Sequence, residues 1–402
     1  MHNLRLTHRA TRIACYIGYV TQAIMINFMP LLYVTFQKEF ALSLSALSSL
    51  IAVNFIAQLT ADFIAARLGD RISMRAMLVF THANATVGLC LIGILPSLLP
   101  SAYVGLLIAE IVCGAAGGFT EVLISPLLEA CPMEEKSAEM SFLHSFYCWG
   151  QAGVVLFSTV YFMTVGIEHW RILPFLWAAV PFVGMLLFTV VPVYTLVEEQ
   201  DRRPVTALFS SLRFWIFILM MLCAGASEMV MSQWASSFCE TGLGVSKTVG
   251  DLFGPCTFAV MMGISRILYA KLSERFSPTP IFAAACGICI VAYLLAAFPI
   301  HPLLSLLGCG LCGFAVGPFW PGTLSRASAA IPSGGVAMFA FLAVAGDLGC
   351  LIAPSAAGII ADLSGGSLSA SFLFALLFPT VLLVALLCMH QREKAKKQTK
   401  TP

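Results

Sequence analysis

Long apolar runs follow one another along this chain, each separated from the next by a short polar stretch. Most exceed twenty residues, the length an α-helix needs to cross a lipid bilayer. Twelve such helices are predicted, at about 12–36, 45–67, 76–95, 102–127, 138–163, 170–194, 212–238, 247–271, 280–299, 302–328, 335–361 and 368–390. The longest internal stretch outside them, residues 195–211 (TLVEEQDRRPVTALFSS), is charged, contains one proline and falls mid-chain. It reads as a linker. The expected domains are therefore an N-terminal six-helix half at 1–194, a cytoplasmic linker at 195–211, a C-terminal six-helix half at 212–390 and a basic tail at 391–402.

The fourth and fifth runs carry polar residues in a pattern. Glu110 and Glu121 are eleven positions apart, almost three helical turns, so both lie on one face. Gly114 and Gly117 lie between them on that face with Gly118 at its edge, which allows another helix to approach closely. In the next run His144, Cys148 and Gln151 share a face by their i, i+4, i+7 spacing. Ionisable groups inside a span are costly and normally face a bundle interior or a water-filled cavity. The pattern predicts two walls of a polar cavity.

Composition narrows the class. The 402 residues are 59% hydrophobic and 10% charged, where a soluble chain carries about a quarter charged. No basic, aromatic-interleaved surface points to nucleic acid. The fourteen cysteines are scattered through apolar helices. Cys309 and Cys312 form a C-x-x-C inside a Gly-rich run without a second ligand pair, so they read as packing residues. The first run is too long for a signal peptide and holds Gln22 and Asn27. There is no H-E-x-x-H and no P-loop, so neither an intramembrane metalloenzyme nor ATP-driven action is expected, and no cofactor.

Lysine and arginine set the orientation. With the N-terminus inside, Arg5, Arg9, Arg12, Arg71, Arg75, Lys136, Arg202, Arg203, Lys271, Arg275, Arg326 and the tail from Arg392 are cytoplasmic. Only Lys38, Arg171 and Lys247 fall outside. Both termini are expected in the cytoplasm of a cell bounded by a bacterial inner membrane.

The halves also echo each other. Asp62…Leu68-Gly-Asp70-Arg71-Ile-Ser73 matches Arg266…Leu272-Ser-Glu274-Arg275-Phe-Ser277. CGAAGGF at 113–119 matches CGLCGF at 309–314, and Gly150-Gln-Ala-Gly153 matches Gly346-Asp-Leu-Gly349. Three echoes in one order predict an all-α membrane protein of twelve helices in two pseudo-symmetric halves, the parallel repeat of one class of secondary transporter.

At these loops the chain resembles the major facilitator superfamily. The family's G-x-L-x-D-R-x-G-R-[RK] signature is matched by Ala66-Arg-Leu-Gly-Asp70-Arg71-Ile-Ser73-Met-Arg75, with two glycines replaced by Ala66 and Ser73. Within it the chain resembles the fucose permease-like branch of sugar–proton symporters. The branch's Glu followed by Asn-Pro is matched by Glu121 and Ser125-Pro126, and its polar residue six before a Gly by His144 and Gly150. Its Asn and following Asp in the first span correspond to Asn27 and Pro30, so the acidic residue is missing here.

The resemblance implies a secondary active transporter working by alternating access, a proton-coupled symporter of a small polar solute such as a sugar. The alternative is proton-driven efflux of amphipathic compounds. The expected partners are the small-molecule substrate, protons and membrane lipid, and the expected state is a monomer. Substrate contacts are expected from Asn27, Glu121, His144, Gln151, Glu228, Gln233 and Trp234, with Glu121 and Glu228 carrying protons. Each has a bland counterpart. Glu121 could simply pair with Arg266, Trp149 and Trp234 could be core, and the amides of Gln22, Asn27 and Gln233 could join helices. Glu110, nearer the outer end, could reach interfacial water. Asp62, Asp70, Arg71, Arg266, Glu274 and Arg275 are expected to gate, with Asp62 and Arg266 forming a charge pair that closes the inner side. Replacing Asp70 with Asn should therefore slow transport and leave equilibrium substrate affinity nearly unchanged. Binding and turnover assays on the purified variant check this, and a large loss of affinity with intact turnover contradicts it.

Overall fold

A computed structural model describes residues 7–68, 73–132, 136–194, 206–273, 275–276, 278–331 and 335–398. Asp70, Arg71, Glu274 and most of the expected linker lie outside them. Twelve helices are long and apolar enough to cross a membrane: His8–Phe40, Leu44–Ile64, Met74–Leu98, Ala102–Ala130, Phe142–Thr164, Ile167–Val190, Leu212–Gly242, Lys247–Ser273, Thr279–Ala297, Pro302–Ala330, Ala340–Leu363 and Leu368–Gln391. No strand occurs among the described residues. The chain divides into two compact units, Met1–Glu198 and Glu199–Pro402, each holding six of the helices.

The surface is apolar and the interior carries polar groups, the reverse of a soluble protein. On the second span Ile56 and Phe63 are 51% and 64% exposed, whereas Asn54 and Gln58 are 5% and 2% exposed. That inversion is what a hydrocarbon surround selects, because lipid accepts exposed aliphatic and aromatic side chains and rejects unpaired amides.

Several spans are not single α-helices. The first runs as helix over His8–Asn27, tightens into a 3-10 turn at Met29–Leu32 and resumes over Tyr33–Phe40. Pro30 lies in that turn, and a proline there removes a donor and clashes with the preceding turn. The eighth span contains a π-helical turn at Leu252–Cys256 around Pro255, and the seventh ends in one at Phe238–Gly242. The tenth breaks between Pro302–Val316 and Phe319–Ala330, at Gly317 and Pro318. The last helix continues to Gln398, into the basic tail.

Glycine decides which helices sit closest. A Cβ on Gly114 would collide with the Asn54 carbonyl, and one on Gly118 would strike the Gln58 carbonyl and stand 2.8 Å from Asp62 Oδ1. The fourth span thus lies backbone to backbone against the second. In the other unit, a Cβ on Gly313 would collide with the Phe258 carbonyl, and one on Gly317 would stand 3.0 Å from the Met262 carbonyl oxygen. The tenth span therefore seats on the eighth as the fourth does on the second. Likewise Gly150 meets Val20 and Ala23 of the first span, and Gly349 meets Leu222 and Ala226 of the seventh. The glycines that repeat a packing contact, Gly114 with Gly313 and Gly150 with Gly349, are not the pairs that the sequence echoes align, since Gly153, the echo of Gly349, meets nothing within 4 Å.

Salt bridges and hydrogen bonds bolt the first unit at both ends. At one end Arg12 grips Glu139 through Nε and Nη2 (2.7 and 2.5 Å), and the Tyr16 hydroxyl donates to the same carboxylate. Near it, Arg75 donates to the carbonyls of Phe188 and Thr189 (2.8 and 2.9 Å) at the close of the sixth span, which satisfies acceptors that a helix terminus leaves open. At the opposite end Glu39 accepts from Trp170 Nε1 (2.8 Å) and pairs with Arg171, whose guanidinium lies 4.8 Å from the Trp170 ring centre. Gly114→Leu is expected to overpack the second–fourth interface and lower the thermal midpoint in detergent, by the equivalent of ~2 kcal/mol or more. Gly153→Ala should be neutral, because nothing lies within 4 Å of its added carbon.

Candidate functional site

Spans 1, 2 and 4 of the first unit, His8–Phe40, Leu44–Ile64 and Ala102–Ala130, build a polar ladder inside an apolar bundle. Asn54, Gln58 and Asp62 recur every four residues and so form one stripe on the second span. The glycines of the fourth span bring that stripe against Glu110 and Glu121. Asn54 Nδ2 donates to Glu110, and both residues are buried. Gln58 Nε2 donates to Glu121 Oε2 at 3.1 Å, and Gln22 Nε2, from the first span, donates to the same oxygen at 2.8 Å. No cationic side chain among the described residues pairs with Glu121, Glu110 or Asp62.

One expectation is corrected here. Glu110 does not face interfacial water. It is 4% exposed and takes its hydrogen bond from Asn54, because Gly114 draws the two helices too close for solvent. Glu121 is served by two amides of its own unit, Gln22 and Gln58.

The first span is the hub. Tyr19 shares a hydrogen bond with Ser125 of the fourth span (2.8 Å), and its ring meets His144 edge-on at 5.1 Å. Asn27 Nδ2 donates to its own helix at the Ala23 carbonyl (3.0 Å) and contacts the Tyr147 hydroxyl at 3.3 Å. Tyr16 stacks on Phe146, ring centres 4.5 Å apart. The three residues predicted to share a face of the fifth span separate by depth. Cys148 and Gln151 are buried, whereas His144, closer to the helix end, is exposed and meets the Tyr19 ring edge-on. Asn27, Glu121 and His144 thus each contact a first-span residue or neighbour, but Glu121's direct partners are Gln22 and Gln58.

The second unit has different chemistry. Glu228 Oε2 lies 3.5 Å from Arg266 Nη2, with both side chains largely buried. Arg266 finds its counter-charge inside its own unit, where a buried guanidinium takes the buried carboxylate within reach. Glu228 thus has a counter-charge within reach. Trp234 packs in the core of this unit. It is fully buried and its Nε1 donates to the Pro354 carbonyl at 2.9 Å. Gln233 and Ser232 are buried beside it on the seventh span, and Arg275 is exposed. Farther along, Asp251 accepts from Ser236 (2.5 Å) and pairs with Lys247 (3.1 Å) next to the π-helical turn of the eighth span.

Sequence reasoning passed over Asn54 and Gln58. Their signal was the four-residue spacing that ends at Asp62, in a run otherwise apolar.

Twelve spans in two repeated units with a buried polar ladder define a polytopic transporter. The Major Facilitator Superfamily family model matches residues 15–354, and the chain belongs to that superfamily of transporters. It is an integral, multi-pass membrane protein and not an enzyme. No curated protein matches it in sequence. Among solved structures it is similar to the nucleoside transporter NupG, with 14% identity, a TM-score of 0.72 and coverage of 95% of this chain and 98% of that one. It is also similar to a D-xylose-proton symporter (15% identity, TM-score 0.74, 95% and 96% covered). A bacterial homolog of the human lysosomal transporter Spinster, inward-facing and occupied, aligns at 13% identity and TM-score 0.68 over 94% and 93% of the chains. At these identities the likeness is one of fold.

Removing one member of the buried pair in the second unit tests its energetics. Arg266→Ala is expected to cost about 3–5 kcal/mol by stranding Glu228, while Arg266→Met with Glu228→Gln should recover most of it. Thermal unfolding in detergent reads both.

Proposed function

We propose that this chain is a secondary active transporter that imports a small polar solute, a sugar or comparably hydroxylated molecule, in symport with protons by alternating access. Glu121 is the proton carrier in this reading. The observation that carries it is a buried carboxylate joined to two other spans by Gln22 and Gln58, with no cationic partner among the described residues. A carboxylate of that kind changes its hydrogen bonds when it gains or loses a proton, and those bonds lead directly into the first and second spans. Asn27, Tyr19, Tyr147 and His144, on the first and fifth spans, supply amide, hydroxyl and imidazole groups suited to solute hydroxyls. The names of two structural neighbours, a nucleoside transporter and a D-xylose-proton symporter, describe polar, hydroxyl-bearing cargo and agree with the resemblance to the fucose permease-like branch. Both termini lie in the cytoplasm of a bacterial inner membrane in this reading, as the lysine and arginine distribution indicates.

The test begins with a thermal-shift screen of the purified protein against sugars, nucleosides, organic acids and drugs. Glu121→Gln imitates the protonated carboxyl, so in proteoliposomes it should retain counterflow of the identified solute without a gradient. It should lose accumulation driven by an imposed pH gradient. Full gradient-driven accumulation by this variant removes Glu121 as an essential proton carrier.

A further inference from the structure

The polar ladder of the first unit holds more buried oxygen than its donors satisfy. Both amide nitrogens that reach Glu121 are spent on one atom, Oε2. Gln58 is 2% exposed, and its Oε1 is closed off from solvent with no hydrogen-bond donor. Asp62 Oδ1 is likewise buried with no donor. The two oxygens face the same turn of the fourth span. A Cβ on Gly117 would stand 3.3 Å from Gln58 Oε1, and one on Gly118 would stand 2.8 Å from Asp62 Oδ1. Glu121 follows one helical turn later on that span. An orphaned buried acceptor costs about 1–3 kcal/mol, so two of them beside a second carboxylate call for an electropositive occupant.

Packing alone does not demand these oxygens, and the second unit supplies the control. There the glycine seating is kept, Gly313 on Phe258 and Gly317 on Met262. The side chains at the positions of Asn54, Gln58 and Asp62 are Phe258, Met262 and Arg266. An apolar pair and an arginine therefore fit the same helix–helix contact. The acceptors of the first unit have been placed in a frame that folds without them.

We propose that Gln58, Asp62 and Glu121 form a sodium-binding site between the second and fourth spans of the first unit. The donor set is oxygen alone, two carboxylates and one amide carbonyl, which suits a hard cation. Divalent ions such as calcium take about 6–8 oxygens, and among the described residues no cluster of three His, Cys, Asp or Glu side chains could hold a metal. One Glu121 oxygen already accepts from two amides, which leaves fewer side-chain oxygens than calcium takes and favours a monovalent ion. Gly117 and Gly118 provide the room, since a side chain at either would press on a ligand oxygen. The proposal goes beyond the symport reading and shares only Glu121 with it. A proton at Glu121 or Asp62 would compete with sodium for the same oxygens.

The full-length protein in detergent provides the test. Its thermal midpoint, followed by tryptophan fluorescence, should rise saturably with NaCl at constant ionic strength set by choline chloride, as for any ligand that binds only the folded state. LiCl should substitute and KCl should not. Asp62→Asn and Gln58→Leu should shift the sodium response at least tenfold to higher concentration, and Gly153→Ala should leave it unchanged. Radioactive sodium bound to the wild type, displaced by lithium but not by potassium, reports on the site should either variant fail to fold. No saturable sodium response in the wild type overturns the proposal. So does an unaltered response in both variants, or displacement of sodium by micromolar calcium. Proton-driven uptake measured in sodium-free choline buffer fails or succeeds independently, so loss of the symport reading is distinguishable from loss of the sodium site.

Discussion

A carboxylate cannot sit in the hydrocarbon layer of a membrane without a proton, a counter-charge or hydrogen-bond donors. The first unit meets that constraint at Glu121 with donors, and most of its local architecture follows. The donors are amides on neighbouring spans, Gln22 and Gln58. For Gln58 to reach, the second span must lie almost against the fourth, and only glycine permits that at 114 and 118. Close approach in turn removes the space for water, so Asn54 must serve Glu110 as well. One polar stripe and one glycine stripe are thus two halves of the same device.

The second unit meets the constraint at Glu228 by a counter-charge, Arg266. Its helices use the same glycine contacts, so the repeat preserves a scaffold and lets the chemistry diverge. Such divergence is cheap when the frame is backbone against backbone, because the side chains beside the contact are then free to change. It also separates the two units in kind. A guanidinium–carboxylate pair is electrically complete, whereas the Asp62–Glu121 region holds more buried acceptors than donors.

Much of this was legible in the sequence. The twelve spans follow from apolar run length, since little besides a helix of about twenty residues buries that much apolar chain in lipid. The common face of Glu110, Glu121 and the glycines followed from helical periodicity and identified where another helix would approach. The identity of that helix did not follow, because periodicity along one helix says nothing about its neighbour. Asn54 and Gln58 were therefore passed over, although their spacing from Asp62 was visible. The bond between Glu228 and Arg266 was hidden for the same reason, since the two lie on different spans. The breaks at Met29–Leu32 and Leu252–Cys256 could be anticipated from Pro30 and Pro255, but their 3-10 and π character depends on the neighbours that re-satisfy the freed backbone groups.

Those breaks bear on how the first unit could transmit an event at Glu121. Its first span is pinned at one end through Arg12 and Glu139 and at the other through Glu39, Trp170 and Arg171. Between the pins it carries Gln22, on the carboxylate, and the non-α turn at Met29–Leu32. A helix clamped at both ends cannot translate freely, so a pull or release at Gln22 is taken up where the backbone ladder is already interrupted. Pro30 makes that place. In the symport reading, the residue that stands where the resemblance expects a second acid is then not merely a missing carboxylate. It exchanges a charge in the first span for a hinge, and leaves the charge to Glu121 and Asp62.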